Sequence, residues 1–187
     1  MTEIESLYRK EGDKVLIEIK LSSINQLFNS FDPAPFHDKE LDKDAERYIV
    51  DIVRDFPQKT EFKIVIHFPP ELVGTEKAKH LIPAIHHHFE YKVLAADRKF
   101  RNHFRHGRGN LLIGLTFLAI ALVTRQMVSV IDDHFLTVLF ADALLIIGWA
   151  AMWEPVTVIL YELWPIIQLK KIYERISTME IEIRPSW

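Results

Sequence analysis

The sequence predicts a membrane protein of mixed α/β class: a small three-stranded cytoplasmic sheet with packed helices, interrupted by a two-helix transmembrane hairpin. Three observations lead to this fold. Two apolar runs lie close together in the second half of the chain. Three short segments alternate apolar and polar residues, as half-buried strands do. Between the first two of these segments, apolar residues recur at the spacing of a helix.

The two apolar runs, residues 110–131 and 135–153, decide the class. Each has about 20 residues, which at a rise of about 1.5 Å per residue crosses a hydrocarbon core of about 30 Å. A buried hairpin in a soluble protein is the alternative, but the rest of the 187-residue chain is too small to cover two such helices. Basic residues flank both outer ends of the runs, whereas the turn at 131–134 has no Lys or Arg. The positive-inside bias therefore predicts cytoplasmic N- and C-termini.

The alternating segments are residues 15–21, 61–68 and 179–184. In the second, Phe62 to Phe68 in steps of two are expected to face a core, with Lys63 and His67 in water. The helical segment is residues 41–56, with Asp42 as a cap. Its expected core side consists of Ala45, Tyr48, Ile49, Ile52, Val53 and Phe56. Strand, helix, strand implies a right-handed parallel crossover. The last strand can join the sheet only after the chain has returned through the membrane.

These elements divide the chain into six segments. They are the first part of the cytoplasmic α/β domain (1–72), a basic juxtamembrane helix (73–109), two transmembrane helices (110–131 and 135–153), an interfacial helix (154–175) and a C-terminal strand that completes the sheet (176–187). Within the juxtamembrane helix we expect Pro83 to kink or restart the helix, and Gly107 and Gly109 to form a hinge. Pro165 is expected to break the interfacial helix.

A long loop, residues 22–40, connects the first strand to the helix. Such loops often carry function, and its partner-binding candidates are Asn25, Phe28, Asp32 and Phe36. The favoured alternative is that its apolar residues plug the open end of the sheet. Those residues are Leu27, Phe28, Phe31 and Phe36.

Histidines 86–88 are the other unusual feature. Consecutive helical side chains are about 100° apart, so these three cannot converge on one ion. The pairs that could share a face are His86 with Glu90, His80 with His87, and His103 with His106. No fourth ligand is evident from spacing, so a solvated or interfacial face is favoured over a metal or pH-sensing role. We predict no metal and no cofactor.

Two further sets of charges are candidate sites. The basic run Lys92, Arg98, Lys99, Arg101, Arg105 and Arg108 predicts contact with anionic lipid headgroups, each residue contributing about 1 kcal/mol. It lacks the aromatic platform expected of a nucleic-acid site. Arg125 and Asp142 lie at comparable depth inside the apolar runs. We favour a structural ion pair, or side chains that extend to the interface, with a proton or ion pathway as the alternative.

Two stretches, residues 24–50 with INQLFNSFDPAPF and residues 148–165 with GWAAMWEPVTVILYELWP, resemble a family of uncharacterised bacterial two-span membrane proteins. The resemblance covers most of the chain and includes the GRGNLLIGLTFLA stretch at the start of the first apolar run. It implies a multi-pass protein of the bacterial inner membrane, and it implies no activity.

The chain has no cysteine, which excludes disulfides and thiol chemistry, and no nucleotide, nucleophile-elbow or zinc motif. We therefore expect a non-enzymatic inner-membrane accessory or scaffold protein that presents its cytoplasmic domain to a protein partner. A homo-oligomeric ion or small-solute conduit is the alternative. A metal-dependent membrane enzyme using the histidine face is a weaker one.

Overall fold

The structure, a computed structural model, describes residues 7–35, 39–131 and 135–186, with side chains described except at 106, 128–131, 135–137 and 141. The chain forms two compact units. The first, here called the α/β unit, comprises Met1–Ala95 and Leu169–Trp187. The second, the hairpin unit, is Ala96–Gln168 and is inserted into the first.

The α/β unit contains a four-stranded sheet. Its strands are β1 (Lys10–Glu11), β2 (Lys14–Lys20), β3 (Glu61–Phe68) and β4 (Glu180–Pro185), in that order across the sheet. β2, β3 and β4 are parallel, and Ile17, Ile64 and Ile181 are aligned across them. These are the three predicted strands. β1 was missed because it is only two residues long, paired antiparallel to β2 through a turn in which Gly12 has a φ of 62°.

One face of the sheet carries the core. Helix α1 (Lys43–Asp55) links β2 to β3, and Asp42 caps it by accepting a hydrogen bond from the N–H of Asp44, as predicted. Ile49, Ile52 and Val53 of α1 pack into the core. Tyr48 was expected there as well, but it is 47% exposed, and its hydroxyl donates to the carbonyl of Glu18 at 3.3 Å. The polar end of the tyrosine side chain therefore lies at the core's edge.

The prediction that Lys63 and His67 lie in water is wrong. Both are on the face opposite the core, yet they are 9% and 4% exposed because β3 is central and the neighbouring strands' side chains cover them. Lys63 Nζ lies 2.6 Å from Glu182 and 3.0 Å from Glu180, and hydrogen bonds to these two carboxylates raise the pKa of Lys63. His67 Nε2 lies 3.1 Å from Glu18. Long charged side chains thus cover this face of the sheet.

Three helices follow β3: the one-turn helices α2 (Pro70–Val73) and α3 (Glu76–Lys79), then α4 (Leu81–Ile131). Thr75 caps α3. Pro83 falls in the first turn of α4, where the helix restarts and a missing N–H costs no hydrogen bond. The predicted hinge is absent from the described chain, because α4 is helical through Gly107 and Gly109. One unbroken helix therefore joins the basic segment to the first apolar run.

The second apolar run forms α5 (Phe135–Ala151). It is followed by α6 (Trp153–Thr157), a π-helical turn (Val158–Leu163) and α7 (Trp164–Ser177). The prediction that Pro165 breaks the interfacial helix is wrong, because α7 contains this residue. Because proline has no N–H to donate to the preceding turn, the wider π-helical turn before it accommodates the change. The interfacial position predicted for 154–175 stays a prediction.

Within the hairpin unit, α4 runs antiparallel to the helical segment that begins with α5, and the two are in close contact. A Cβ on Gly114 would lie 2.9 Å from the carbonyl oxygen of Ala151, and one on Gly148 3.2 Å from Leu118. Side chains facing outward are apolar and exposed, such as Ile113 at 64% and Ile146 at 69%. Two helices are long and apolar enough to cross a membrane, and only 11% of each apolar window is buried. A core helix of a soluble protein would be mostly buried, whereas exposed apolar surface of this extent is typical of contact with a membrane or with another protein.

Candidate functional site

The α/β unit encloses a cluster of four polar side chains, here called the Glu46 cluster. It consists of Glu46 on α1, His88 and Lys92 one turn apart on α4, and Tyr173 on α7. Oε2 of Glu46 lies 3.2 Å from His88 Nε2 and 3.0 Å from Lys92 Nζ, and the Tyr173 hydroxyl donates to Oε1 at 3.1 Å. Glu46 and His88 side chains are 14% and 2% exposed. The carboxylate therefore joins three helices at one point.

The tautomer of His88 follows from its second contact. The backbone N–H of Leu41 donates to His88 Nδ1 at 3.1 Å, so that nitrogen is an acceptor and carries no proton. The proton of the neutral ring is then on Nε2, from which it is donated to Glu46. His88 thereby links Leu41, which follows the 22–40 loop, to α1 and α4.

Burial and hydrogen bonds shift the pKa values of Glu46 and Tyr173 in opposite directions. Burial by itself would raise the pKa of Glu46, but hydrogen bonds from His88 and Lys92 and the lysine's charge outweigh it and lower that pKa to about 2. Burial, with the nearby Glu46 carboxylate, raises the pKa of Tyr173 to about 12. At neutral pH the cluster thus contains a carboxylate and a neutral phenol, each held by hydrogen bonds.

Beside the cluster lies an open groove of about 590 Å³ between α1, α4 and α7. Its lining contains four cationic side chains (Lys43, Arg47, Arg54 and Lys92), two carboxylates (Glu46 and Asp51) and the apolar or phenolic residues Val50, Leu169 and Tyr173. Three of the four cations have carboxylate partners (Lys92 with Glu46, Arg54 with Asp51 and Arg47 with Asp44), and the lining as a whole has an excess of two positive charges. A groove of this kind fits an acidic segment better than a neutral one.

The 22–40 loop contains both buried and exposed residues, so its two predicted roles, plugging the sheet and binding a partner, apply to different side chains. Leu27 and Phe28 are 0% and 3% exposed and belong to the core, so the plugging interpretation holds for them. Phe31 was expected to plug as well but is 93% exposed. Asn25 is exposed. Asp32 accepts hydrogen bonds from the N–H groups of Glu40 and Ala34, which lower its pKa and hold the loop.

Of the four partner-binding candidates, Phe36 lies outside the described residues. Phe28 has its ring in the core, and Asp32 is used to shape the loop. Among the described residues of this loop, Phe31 is an exposed aromatic side chain that the sequence assigned to the interior.

The histidines do not form the solvated face that the sequence favours. His88 is buried in the Glu46 cluster, and His86 Nε2 donates to the carbonyl of Met179 at 2.9 Å. His87 is the exposed member of the three. Among the described residues no group of three or more His, Asp or Glu side chains is placed to hold a metal ion.

In the hairpin unit the structure brings Arg125 and Asp142 together. Arg125 Nε lies 3.1 Å from Asp142 Oδ1, and both side chains are about half exposed, at 55% and 47%. Each charge therefore has its counter-charge on the facing helix of the same chain. Two other polar pairs lie farther along the hairpin: Asn110 donates to Glu154 at 2.8 Å, and His103 lies 3.8 Å from Glu162.

The six basic residues predicted to contact headgroups are not equivalent. Lys92 belongs to the Glu46 cluster. Arg98, Lys99, Arg101, Arg105 and Arg108 are exposed on α4.

No family model matches this chain, and comparisons with curated proteins and with solved structures likewise return no match.

Proposed function

We propose that this protein is an integral membrane scaffold that holds its α/β unit at the cytoplasmic face and presents it to a protein partner. One observation carries the proposal: β4 pairs in parallel with β3, although the whole apolar hairpin lies between them in the chain. Two strands of one sheet must lie on the same side of a bilayer, so the hairpin crosses it an even number of times. A hairpin with apolar, exposed outer faces is suited to do so.

The absence of cysteine makes the topology directly testable. Ser30→Cys and Thr178→Cys place single thiols at exposed positions before and after the hairpin, and Asp133→Cys places one in the turn predicted from sequence. In sealed inverted vesicles an impermeant maleimide is expected to label residues 30 and 178, and in intact cells residue 133. Labelling of 30 and 178 on opposite sides, or removal of the protein from membranes by alkaline carbonate, would refute membrane scaffolding of this form.

The partner-binding role is supported by the positive groove beside the Glu46 cluster. A photo-crosslinking amino acid at Arg47, inside the groove, is expected to form an adduct in native membranes. The same amino acid at Glu71, exposed on α2 and not part of the groove lining, is the control. An adduct whose added mass is a multiple of the chain's own 21.9 kDa would favour the homo-oligomeric conduit instead. Equal labelling at both positions would refute the groove as the docking surface.

A further inference from the structure

Four exposed arginines of α4, Arg98, Arg101, Arg105 and Arg108, form a single row, here called the arginine row. Their spacing of three, four and three residues keeps them within an arc of about 80° at 100° per residue. The same rule puts Gly107, Asn110 and Gly114, which contact the second helix, on the opposite side of α4. The arginine row therefore points away from the hairpin's inner seam.

The row continues into an apolar one. Leu112, Ala119 and Val123 fall within the same arc of α4, Leu115 lies about 20° beyond its edge, and all four are exposed. Because α4 has no break at Gly107 or Gly109, the two rows form one continuous stripe on one rigid helix. The stripe thus has guanidinium groups at one end and a lipid-like apolar surface at the other.

The helical segment that begins with α5 and continues through α6 and the π-helical turn indicates the depth of the arginine row in the membrane. Its contacts set an antiparallel register, with Glu154 beside Asn110, Val158 beside Gly107 and Glu162 beside His103. In this register the exposed side chain of Trp153 is level with about residue 111, one turn beyond Arg108, whereas those of Tyr161 and Trp164 are level with about residues 104 and 101. Trp and Tyr concentrate at the membrane–water interface. Trp153 therefore places that interface near Leu111, next to Arg108 and Arg105, with Tyr161 and Trp164 on its aqueous side.

We infer that the stripe is a binding site for an anionic phospholipid, whose phosphate contacts Arg105 and Arg108 while an acyl chain follows Leu112, Leu115 and Ala119. Leu111 is the first apolar residue of the first apolar run and marks the edge of the hydrocarbon core. Arg108 lies about 5 Å and Arg105 about 9 Å before it along the helix axis, within or next to a headgroup layer that is about 5–8 Å thick. Arg101 and Arg98 lie about 15 and 20 Å away, beyond the Debye length of about 8–10 Å. The inference rests on the membrane insertion proposed above.

Alternative occupants of the row fit less well. A free phosphate would use the guanidinium groups but not the apolar continuation, and a nucleic acid has no use for a row of leucines. An acidic protein segment would find its stronger match in the groove of the α/β unit, where cationic side chains border a concave surface.

Native mass spectrometry of the full-length protein in detergent tests the site, with dioleoyl phosphatidylglycerol and dioleoyl phosphatidylcholine as probes. At about 1 kcal/mol, or fivefold in affinity, for each basic residue near the surface, R105Q/R108Q is expected to weaken phosphatidylglycerol binding about 25-fold. R98Q/R101Q, farther from the bilayer, is expected to weaken it less than about threefold. K99Q/K171Q removes the same charge from exposed positions outside the row and is expected to change it less than about twofold.

Several outcomes would overturn the inference. They are equal binding of the two lipids by the natural sequence, equal losses in R105Q/R108Q and K99Q/K171Q, and competition by glycerol phosphate at the concentration of the lipid. A photo-crosslinker at residue 105 that captures protein rather than lipid would also contradict it. If the protein resists carbonate extraction but lacks lipid preference, only this inference fails. Extraction by carbonate would instead remove the proposed function.

Discussion

The two units of this protein place the same residue types in opposite positions. In the α/β unit Ile17 and Ile64 are fully buried, whereas in the hairpin unit Ile113 and Ile146 are 64% and 69% exposed. Polar groups reverse as well: Glu46 and His88 lie inside the α/β unit, and the Arg125–Asp142 pair lies on the hairpin's half-exposed surface. This reversal is what we expect if each unit is folded for its own solvent, water for the first and, with the membrane insertion proposed above, hydrocarbon for the second.

The largest expected effect separates the two kinds of isoleucine. Ile64→Ala removes a fully buried side chain from the central strand and is expected to destabilise the α/β unit by about 2–5 kcal/mol. Ile113→Ala is its matched control in the hairpin unit. Its side chain exchanges one apolar environment for another on folding in lipid, so we expect a loss below about 1 kcal/mol. Urea-dependent hydrogen exchange of peptides covering β3 and the hairpin, in one detergent, measures both.

An equal loss for the two isoleucine variants would contradict the comparison. It would mean that the outer face of α4 at Ile113 is covered by protein, either a second copy or a partner, rather than by lipid.

The next largest effect is expected at Glu46. Glu46→Gln keeps the shape but removes the charge, which leaves Lys92 without its counter-charge; breaking a buried pair costs about 3–5 kcal/mol, and partial exposure of Lys92 favours the lower end. Glu76→Gln is the control, since Glu76 pairs with Lys79 at 2.7 Å but is 78% exposed. We expect it to cost about 0.5 kcal/mol or less. The free energy of opening of the α/β unit, from the same exchange experiment, decides.

Glu46 also sets a pH dependence. Its pKa is lowered from 4.5 to about 2, so the folded unit binds this proton less readily than the unfolded chain does. The stabilisation is complete above pH 4.5 and is lost as the pH falls towards 2. Its size is up to about 3 kcal/mol, at 1.36 kcal/mol per pKa unit. Unfolding between pH 7 and 2 is expected to follow this curve in the natural sequence and a shallower one in Glu46→Gln. Identical curves would remove Glu46 as the cause.

Periodicity predicts most of the α/β unit correctly, because its strands alternate and α1 has a full apolar side. It fails at Lys63 and His67, where β3 is central and its second face is covered by side chains from β2 and β4. A single strand's pattern cannot report the length of its neighbours' side chains. The helices of the hairpin were predicted from the length of the two apolar runs, because a run of about 20 apolar residues is long enough to cross a bilayer as a helix.

The Glu46 cluster was missed for a related reason. A glutamate such as Glu46 is common in the first turn of a helix, and histidines 86–88 were predicted to form a solvated or interfacial face. No single residue of the cluster therefore indicates a buried site. The available signal was the spacing of His88 and Lys92, one turn apart on α4, which allows both to reach one carboxylate. Their shared partner is 42 residues away from His88 in the chain and becomes evident only when α1 and α4 pack together.

Arg125 and Asp142 provide a smaller effect, now within the hairpin unit. Removing either charge alone, by Arg125→Leu or Asp142→Leu, leaves the other unpaired in an apolar layer and is expected to cost about 2 kcal/mol. The double variant R125L/D142L is expected to recover most of that loss, because no unpaired charge remains. Thermal unfolding of the three variants in one detergent measures the coupling. Loss of a transport activity in the double variant, with stability retained, would favour the conduit over a structural pair.

The smallest expected effect tests whether α4 is rigid, and it compares one substitution at two glycines of that helix. Around Gly109 no atom lies within 4 Å of an added Cβ, so Gly109→Ala is expected to stabilise the helix by about 0.5–1 kcal/mol. At Gly114 the Cβ would lie 2.9 Å from a backbone oxygen, so the same change is expected to destabilise the hairpin by about 1 kcal/mol. Opposite shifts in melting temperature would support an unbroken helix from the arginine row into the apolar row. If Gly109→Ala instead weakens phosphatidylglycerol binding or membrane insertion, the flexible joint that the sequence predicts at this position operates in the membrane. The arginines and leucines of α4 would then not act as one rigid stripe.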